Sequence, residues 1–417
     1  MNFFTPLAFG LTVFSRKRQG ASTKAQELLA LCRQLVSERG EVSGARLAGG
    51  VAAAYLALDA NEVEAFFDQL ATGFSPDPVV VQKAAEAYHR DASQANLVRL
   101  QAAVESPRQE LFRRWNMASG GTAVLVAMRR RLLATIDSHP QRAGIDADLA
   151  HLFRSWFNRG FLVLQRIDWR TPAVVLERLI EYEAVHEIHG WRDLRRRLQG
   201  DRRCYAFFHP ALPDEPLIFI EVALTRGMMG QVQSLLDPSS AVDDPARADC
   251  AIFYSITNCQ EGLRGVSFGN FLIKQVVEDL GREFPRVKTF ATLSPIPGFR
   301  TWLAAADARW RGVDPTAVPA AVKNELSGLC AHYLLEVKRN KEPLDPVARF
   351  HLANGARLER LNWMGDTSRP GLERSLGLMV NYVYRLTDVE KNHEAYAAKY
   401  QVIASSEIER LARRTAR

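Results

Sequence analysis

The hydrophobic rhythm of this 417-residue chain changes partway along, and that change constrains the fold more than any single motif. From residue 20 to about 180, apolar residues recur at helical spacing. Thr23 with Gln26 has the form of a capping box ahead of Leu28, Leu31, Cys32 and Leu35, and Gly40 is placed to stop the helix. Asn61 with Glu64 repeats the start signal, and Val63, Phe66, Phe67 and Leu70 then line one face. Further helices are expected around 79–88, 94–105, 122–136 and 147–157, with Pro, Gly or Ser between them and no fixed repeat. After about residue 190, short β-rich runs appear at 204–208, 217–224, 251–256 and 287–293. An amphipathic helix over 266–280 joins the last two into a β-α-β unit. Helices at 320–337 and 346–353, strands at 357–363 and 380–386, and one last helix over 389–412 follow. The prediction is an α+β chain: an all-helical bundle over 1–180, then an α/β domain over 181–417.

Composition narrows the function classes. Hydrophobic residues make up 47%, enough for ordinary cores, yet no apolar run approaches the roughly 18 residues of a membrane span. The apolar start, Met1 to Phe14, precedes its basic cluster (Arg16, Lys17, Arg18), the reverse of a secretory signal. Five scattered cysteines without a CxxC pair indicate neither a zinc site nor a disulfide framework. With Thr415-Ala416-Arg417 at the end instead of a peroxisomal address, a cytoplasmic location is expected. A formal charge of +7 favours anionic partners. The runs Arg129–Arg131, Arg195–Arg197, Arg202–Arg203 and Arg413–Arg414 lack interleaved aromatics, so they are expected to be solvated faces and not a nucleic-acid surface.

Chemistry concentrates in three places. Between Tyr254 and Ile273 a strand ends, a loop with Gly262, Gly265 and Gly269 follows, and a helix begins. Such a loop leaves backbone N–H groups at a positive helix end, a seat for phosphates, and Arg264 adds charge. Taken in isolation, a plain tight turn is the commoner reading of such a motif, and no Lys-Ser/Thr follows to make a nucleotidase P-loop. Next, Ser294 lies at a strand end before a two-proline turn, Pro295-Ile-Pro297, where a serine is also a common turn-former. Finally, His351 falls near the end of a short helix, whose dipole favours the imidazolium, although most histidines are simply surface or satisfied core residues.

The spacing Gln260-x-x-x-Arg264-Gly265-x-x-x-Gly269 resembles the acyl-CoA pyrophosphate loop of the GCN5-related N-acetyltransferase fold. Taken with Tyr182-Glu-Ala-Val-His186, Ile252-Phe-Tyr-Ser255, Leu293-Ser-Pro-Ile-Pro-Gly-Phe299, Phe350-His-Leu-x-Asn-Gly-Ala356 and Asn362-Trp-Met364, it makes the chain after about residue 175 resemble malonyl-CoA decarboxylase. The resemblance implies a helical domain that forms a homo-oligomer, then an acetyltransferase-like catalytic domain that converts malonyl-CoA to acetyl-CoA and carbon dioxide. It matches Ser294 to the catalytic serine, His351 to the catalytic histidine, and Arg264, Gly265, Val266, Ser267, Phe268, Gly269, Asn270 and Ile273 to the CoA-binding segment. Ser267 stands where relatives often carry an acidic residue and receives no catalytic role.

That reaction asks for donors at the thioester oxygen, a hydroxyl that turns the leaving carboxylate out of the thioester plane, and an acid for the enolate carbon. Ser294 and His351 are the candidates for the last two. No metal or organic cofactor is expected, because the thioester is the electron sink and CoA arrives as part of the substrate. The alternatives are an acyl-CoA-dependent N-acyltransferase of the same fold and a non-catalytic acyl-CoA-binding protein.

Overall fold

The computed structural model describes residues 10–38, 40–266, 268 and 272–415, with side chains placed from residue 24 to 413 of these. The chain divides into two compact units: residues 1–161 with 210–213 and 260–268, and residues 162–209, 214–259 and 269–417.

The first unit is built from α1 (Gly10–Ser37), α2 (Glu41–Leu56), α3 (Ala60–Gly73), α4 (Pro78–Arg90), α5 (Gln94–Val104), α6 (Pro107–Trp115), α7 (Gly121–Thr135) and α8 (Ala143–Trp156). Helix α1 already runs through Thr23, so that residue does not begin it. The capping box of α3 is Asp59 with Glu62, not Asn61 with Glu64: the Asp59 carboxylate accepts from Glu62 N–H at 2.9 Å, and Glu62 accepts from Asp59 N–H at 2.8 Å. An aspartate caps as well as Ser or Asn, and here Asp59 stands just ahead of Ala60 at the cap position, whereas Asn61 already lies inside the first turn. Helices α2 and α6 fall outside the expected set, although Ser106 and Pro107 mark the start of α6.

Tyr55, Phe66, Phe67, Leu111, Phe112 and Trp115 fill the core, with the Tyr55 and Trp115 rings edge-on at 5.8 Å. Buried arginines brace it. Arg108 donates to Asp148 at 2.8 Å and to the carbonyl of Ala71 at 3.0 Å, tying α6 to α8 and α3. Arg142, 1% exposed, pairs with Glu64 and Asp68. Because unpairing a buried ion is expensive, Arg108→Met is expected to destabilise this unit by about 3 to 5 kcal/mol in thermal unfolding. The double variant with Asp148→Leu should recover most of that loss; equal losses in single and double variants would contradict the bracing role.

The second unit carries the sheet. Its elements are β1 (Val163–Ile167), α9 (Ala173–Tyr182), α10 (Trp191–Arg197), β2 (Arg202–Phe208), β3 (Ile218–Thr225), α11 (Gln233–Leu236), β4 (Cys250–Asn258), α12 (Leu272–Glu283), β5 (Thr289–Thr292), β6 (Ser294–Pro295), α13 (Phe299–Ala306), α14 (Ala320–Leu335), β7 (Lys338–Arg339), β8 (Glu342–Pro343), α15 (Pro346–Ala353), β9 (Arg357–Asn362), α16 (Arg369–Ser375), β10 (Met379–Val383), α17 (Val389–Lys399) and α18 (Ser406–Thr415). The main sheet runs β1-β2-β3-β4-β5-β10-β6, with β9 beside β10. Its pairs are antiparallel except β4 with β5, which α12 joins as a crossover. The α+β class expected from the sequence holds: a helical region is followed by a domain built on one mixed sheet.

Four expectations need correction. Strand β1 lies inside the stretch read as wholly helical; four of its five residues are not buried, so it carries no strong apolar alternation. The helix expected from Val266 begins, in the described residues, at Leu272. The last helix is two, because Tyr400 adopts φ +53° and ends α17 without a glycine to mark the stop. The basic runs are only partly solvated: Arg129, Arg196, Arg197, Arg202 and Arg203 are buried and each pairs with a carboxylate.

Candidate functional site

Strand β10 spans a break in the sheet. It pairs with β5 at Val383 and Ala291 and with β6 at Val380 and Ser294, and on its other side its register with β9 shifts between Asn381 and Tyr382. Within the gap, side chains replace ladder bonds. Tyr382 N–H donates to Thr292 Oγ1 at 3.1 Å, and the Asn381 amide donates to the Thr292 carbonyl at 2.6 Å. Pro295 has no N–H to extend the pairing. Ser294 is therefore held at a fixed edge, 6% exposed, with its hydroxyl turned off the ladder.

His351 comes to meet it from α15. Asp345 caps that helix through Val347 and Ala348 N–H at 2.9 Å each, with Pro346 in the first turn. Gly355, at φ +80° and backed by the Val389 carbonyl, turns the chain onward into β9. His351 Nε2 lies 3.0 Å from Ser294 Oγ, and Nδ1 lies 2.8 Å from Tyr384 Oη. The ring stacks on Tyr382, with centroids 4.6 Å apart.

Hydrogen-bond polarity assigns the protons. Ser294 gives its hydroxyl hydrogen to Thr292 Oγ1 at 2.9 Å, so its oxygen accepts from His351 Nε2–H, and Nδ1 accepts from Tyr384 O–H. Burial lowers the His351 pKa to about 3. The imidazolium expected from the helix dipole is thus overruled by desolvation, and the resting ring is neutral.

Ser294 and His351 share one cavity of about 230 Å³, walled by Val185, Phe253, Ile256, Leu293, Val347 and Phe350 and by the polar Ser255 and Asn258. Ser255 donates to Glu183, whose carboxylate also accepts from Val185 N–H, His186 N–H and Thr257 Oγ1. So many donors make Glu183 an anchor for the wall. Among the described residues, no group of three His, Cys, Asp or Glu is placed to hold a metal ion, and no helix is long and apolar enough to cross a membrane.

Arg264, Gly265, Val266 and Phe268 belong to the loop of the first unit; Arg264 and Gly265 are exposed, Val266 and Phe268 buried. Ile273 is buried on α12 of the second unit. Ser267, Gly269 and Asn270 lie outside the described residues. Cys259 is buried, and desolvation pushes its thiol pKa up, as suits a structural cysteine. Thr292, Tyr382 and Tyr384 join the site without having been expected from the sequence. Thr292 was within reach, since a residue two before Ser294 points to the same side of a strand.

A family model for the malonyl-CoA decarboxylase C-terminal domain matches residues 160–417, and one for the N-terminal domain matches residues 74–157. The chain belongs to the malonyl-CoA decarboxylase family. Mitochondrial malonyl-CoA decarboxylase of Rattus norvegicus is 35% identical over 391 residues, covering 82% of this chain and 80% of that protein. The goose protein, from Anser anser anser, is 36% identical over 349 residues, covering 73% and 69%. Crystal structures of the malonyl-CoA decarboxylases from Rhodopseudomonas palustris and Agrobacterium vitis superpose with TM-scores of 0.85 and 0.86 at 50% and 47% identity, each covering 93% of this chain and 99% of the other. Membership makes the chain a carboxy-lyase by class.

The neutral His351 has a thermodynamic consequence for this decarboxylase-family fold. Below pH 6.5 the unfolded chain protonates this histidine and the folded chain does not, so stability falls as pH drops from 6.5 towards 3. Between pH 7.5 and 5 the wild type is expected to lose about 2 kcal/mol more than His351→Gln in denaturant unfolding of the sheet domain. Identical pH dependence in the two proteins would show that His351 is not held neutral.

Proposed function

We propose that the protein decarboxylates malonyl-CoA to acetyl-CoA and carbon dioxide, with Ser294 orienting the malonyl carboxylate and His351 protonating the enolate carbon. The observation that carries this reading is the 3.0 Å pairing of Ser294 with His351 inside one small, mostly apolar cavity. The reaction consumes one proton: malonyl-CoA with its free carboxylate plus H⁺ gives acetyl-CoA and CO₂. A carboxylate entering beside His351 favours the imidazolium, so the proton is taken up as substrate binds. The Ser294 hydroxyl then turns from Thr292 to a carboxylate oxygen and holds the scissile C–C bond across the thioester plane. As that bond breaks, its electron pair passes into the thioester, and His351 returns a proton to the carbon. Tyr384, bonded to Nδ1, keeps Nε2 aimed at Ser294. The thioester serves as the electron sink, so CoA enters only as part of the substrate.

A serine–histidine pair also suggests acyl transfer through a serine ester. Against it, the Ser294 hydrogen points to Thr292 and not to His351, so the histidine is not arranged to deprotonate the serine. The five cysteines are all buried and free, which fits a reducing compartment such as the cytoplasm. Self-association through the helical region is supported by α4 and α5, which bury none of their residues and expose Val79, Val80, Val98 and Val104.

Purified protein given malonyl-CoA and no acceptor is expected to release acetyl-CoA and CO₂ in equal amounts. His351→Gln should lower kcat about 10²- to 10⁴-fold and Ser294→Ala about 10²-fold. Product only with an added amine would favour the acyltransferase, and full activity in both variants would remove the pair from the chemistry.

A further inference from the structure

We propose that Arg129, on helix α7, is a positioning residue for the pyrophosphate of the acyl-CoA substrate, because it locks the peptide between Arg264 and Gly265 with its N–H facing outward. This rests on the malonyl-CoA reading above and on the resemblance that matches the loop after β4 to a CoA-binding segment.

Arg129 is 3% exposed, and its neighbours in the run, Arg130 and Arg131, are not buried. Its Nε donates to Asp146 at 2.7 Å, which fixes the guanidinium plane. Its Nη1 donates to the carbonyls of Gly262 at 2.8 Å and Arg264 at 2.9 Å. The loop is moulded onto this helix: a Cβ on Gly262 would meet the Val126 carbonyl at 2.1 Å, so only glycine allows the approach.

From Leu263 to Val266 the loop makes a type II turn. Val266 N–H donates to the Leu263 carbonyl at 2.9 Å, Arg264 has φ −53° and ψ 128°, and Gly265 has φ +77°. A type II turn flips its central peptide, and in a trans peptide the C=O and N–H point in opposite directions. The flipped carbonyl is the one Arg129 holds. Gly265 N–H is therefore directed away from α7, and a Cβ on Gly265 would meet nothing within 4 Å. The space outside Gly265 is open to an arriving anion, and Arg264, its neighbour in the chain, is exposed.

Two variants disturb this peptide independently. Arg129→Met removes the clamp; Gly265→Ala opposes the left-handed φ without touching the helix. Each is assayed with malonyl-CoA and with malonyl-pantetheine, which has the same acyl group but no nucleotide pyrophosphate. For both variants the KM for malonyl-CoA is expected to rise about tenfold, with kcat within about twofold and malonyl-pantetheine kinetics unchanged. Equal losses on both substrates in Gly265→Ala, or an unchanged KM for malonyl-CoA in that variant, would overturn the proposal even if Arg129→Met fails to fold. Should the wild type decarboxylate neither substrate, the functional reading fails separately, and calorimetry with CoA against pantetheine still decides: selective weakening of CoA in the variants supports the Arg129 role, and equal binding to wild type and variants refutes it.

Discussion

The break between β5 and β6 is the constraint on which the site depends. A sheet prefers unbroken ladders, yet here Thr292 Oγ1 and the Asn381 amide take over the bonds that backbone pairing would have made. The exchange costs little hydrogen bonding because each group is still satisfied. What it yields is a serine hydroxyl at the sheet surface, with its hydrogen committed to Thr292, so that its oxygen faces the histidine. Were the ladder continuous, Ser294 would lie in a regular strand, and the cavity would lose its polar end.

The second determinant is the low polarity around His351. Phe350, Tyr382 and Tyr384 surround the ring, and burial keeps it neutral at rest. In the proposed reaction the substrate supplies what the resting protein withholds: a carboxylate that enters as an anion and leaves as neutral CO₂ favours the imidazolium only while the acid is needed.

Much of this was legible in the sequence. Helical periodicity in the first part and strand alternation in the second gave the class, and the Ser-Pro-Ile-Pro turn and the Phe-His-Leu helix marked the two residues that converge. The rest depends on three-dimensional burial. The pKa of His351 could not be read from its place near a helix end, because desolvation outweighs the dipole once the side chain is enclosed. Arg129 looked like one charge in a surface run until the glycine loop, 133 residues later, closed over it. Strand β1 and the break at Tyr400 escaped because neither carries the apolar alternation or the glycine that would announce it.

The most direct test is proton counting. Binding of a malonyl-CoA isostere whose carboxylate cannot be lost is measured calorimetrically at pH 7.5 in buffers of different ionisation enthalpy. The slope is expected to give close to one proton taken up per site in the wild type and close to none in His351→Gln. No uptake by the wild type would contradict the account, because His351 would then meet the substrate without the proton it is meant to deliver.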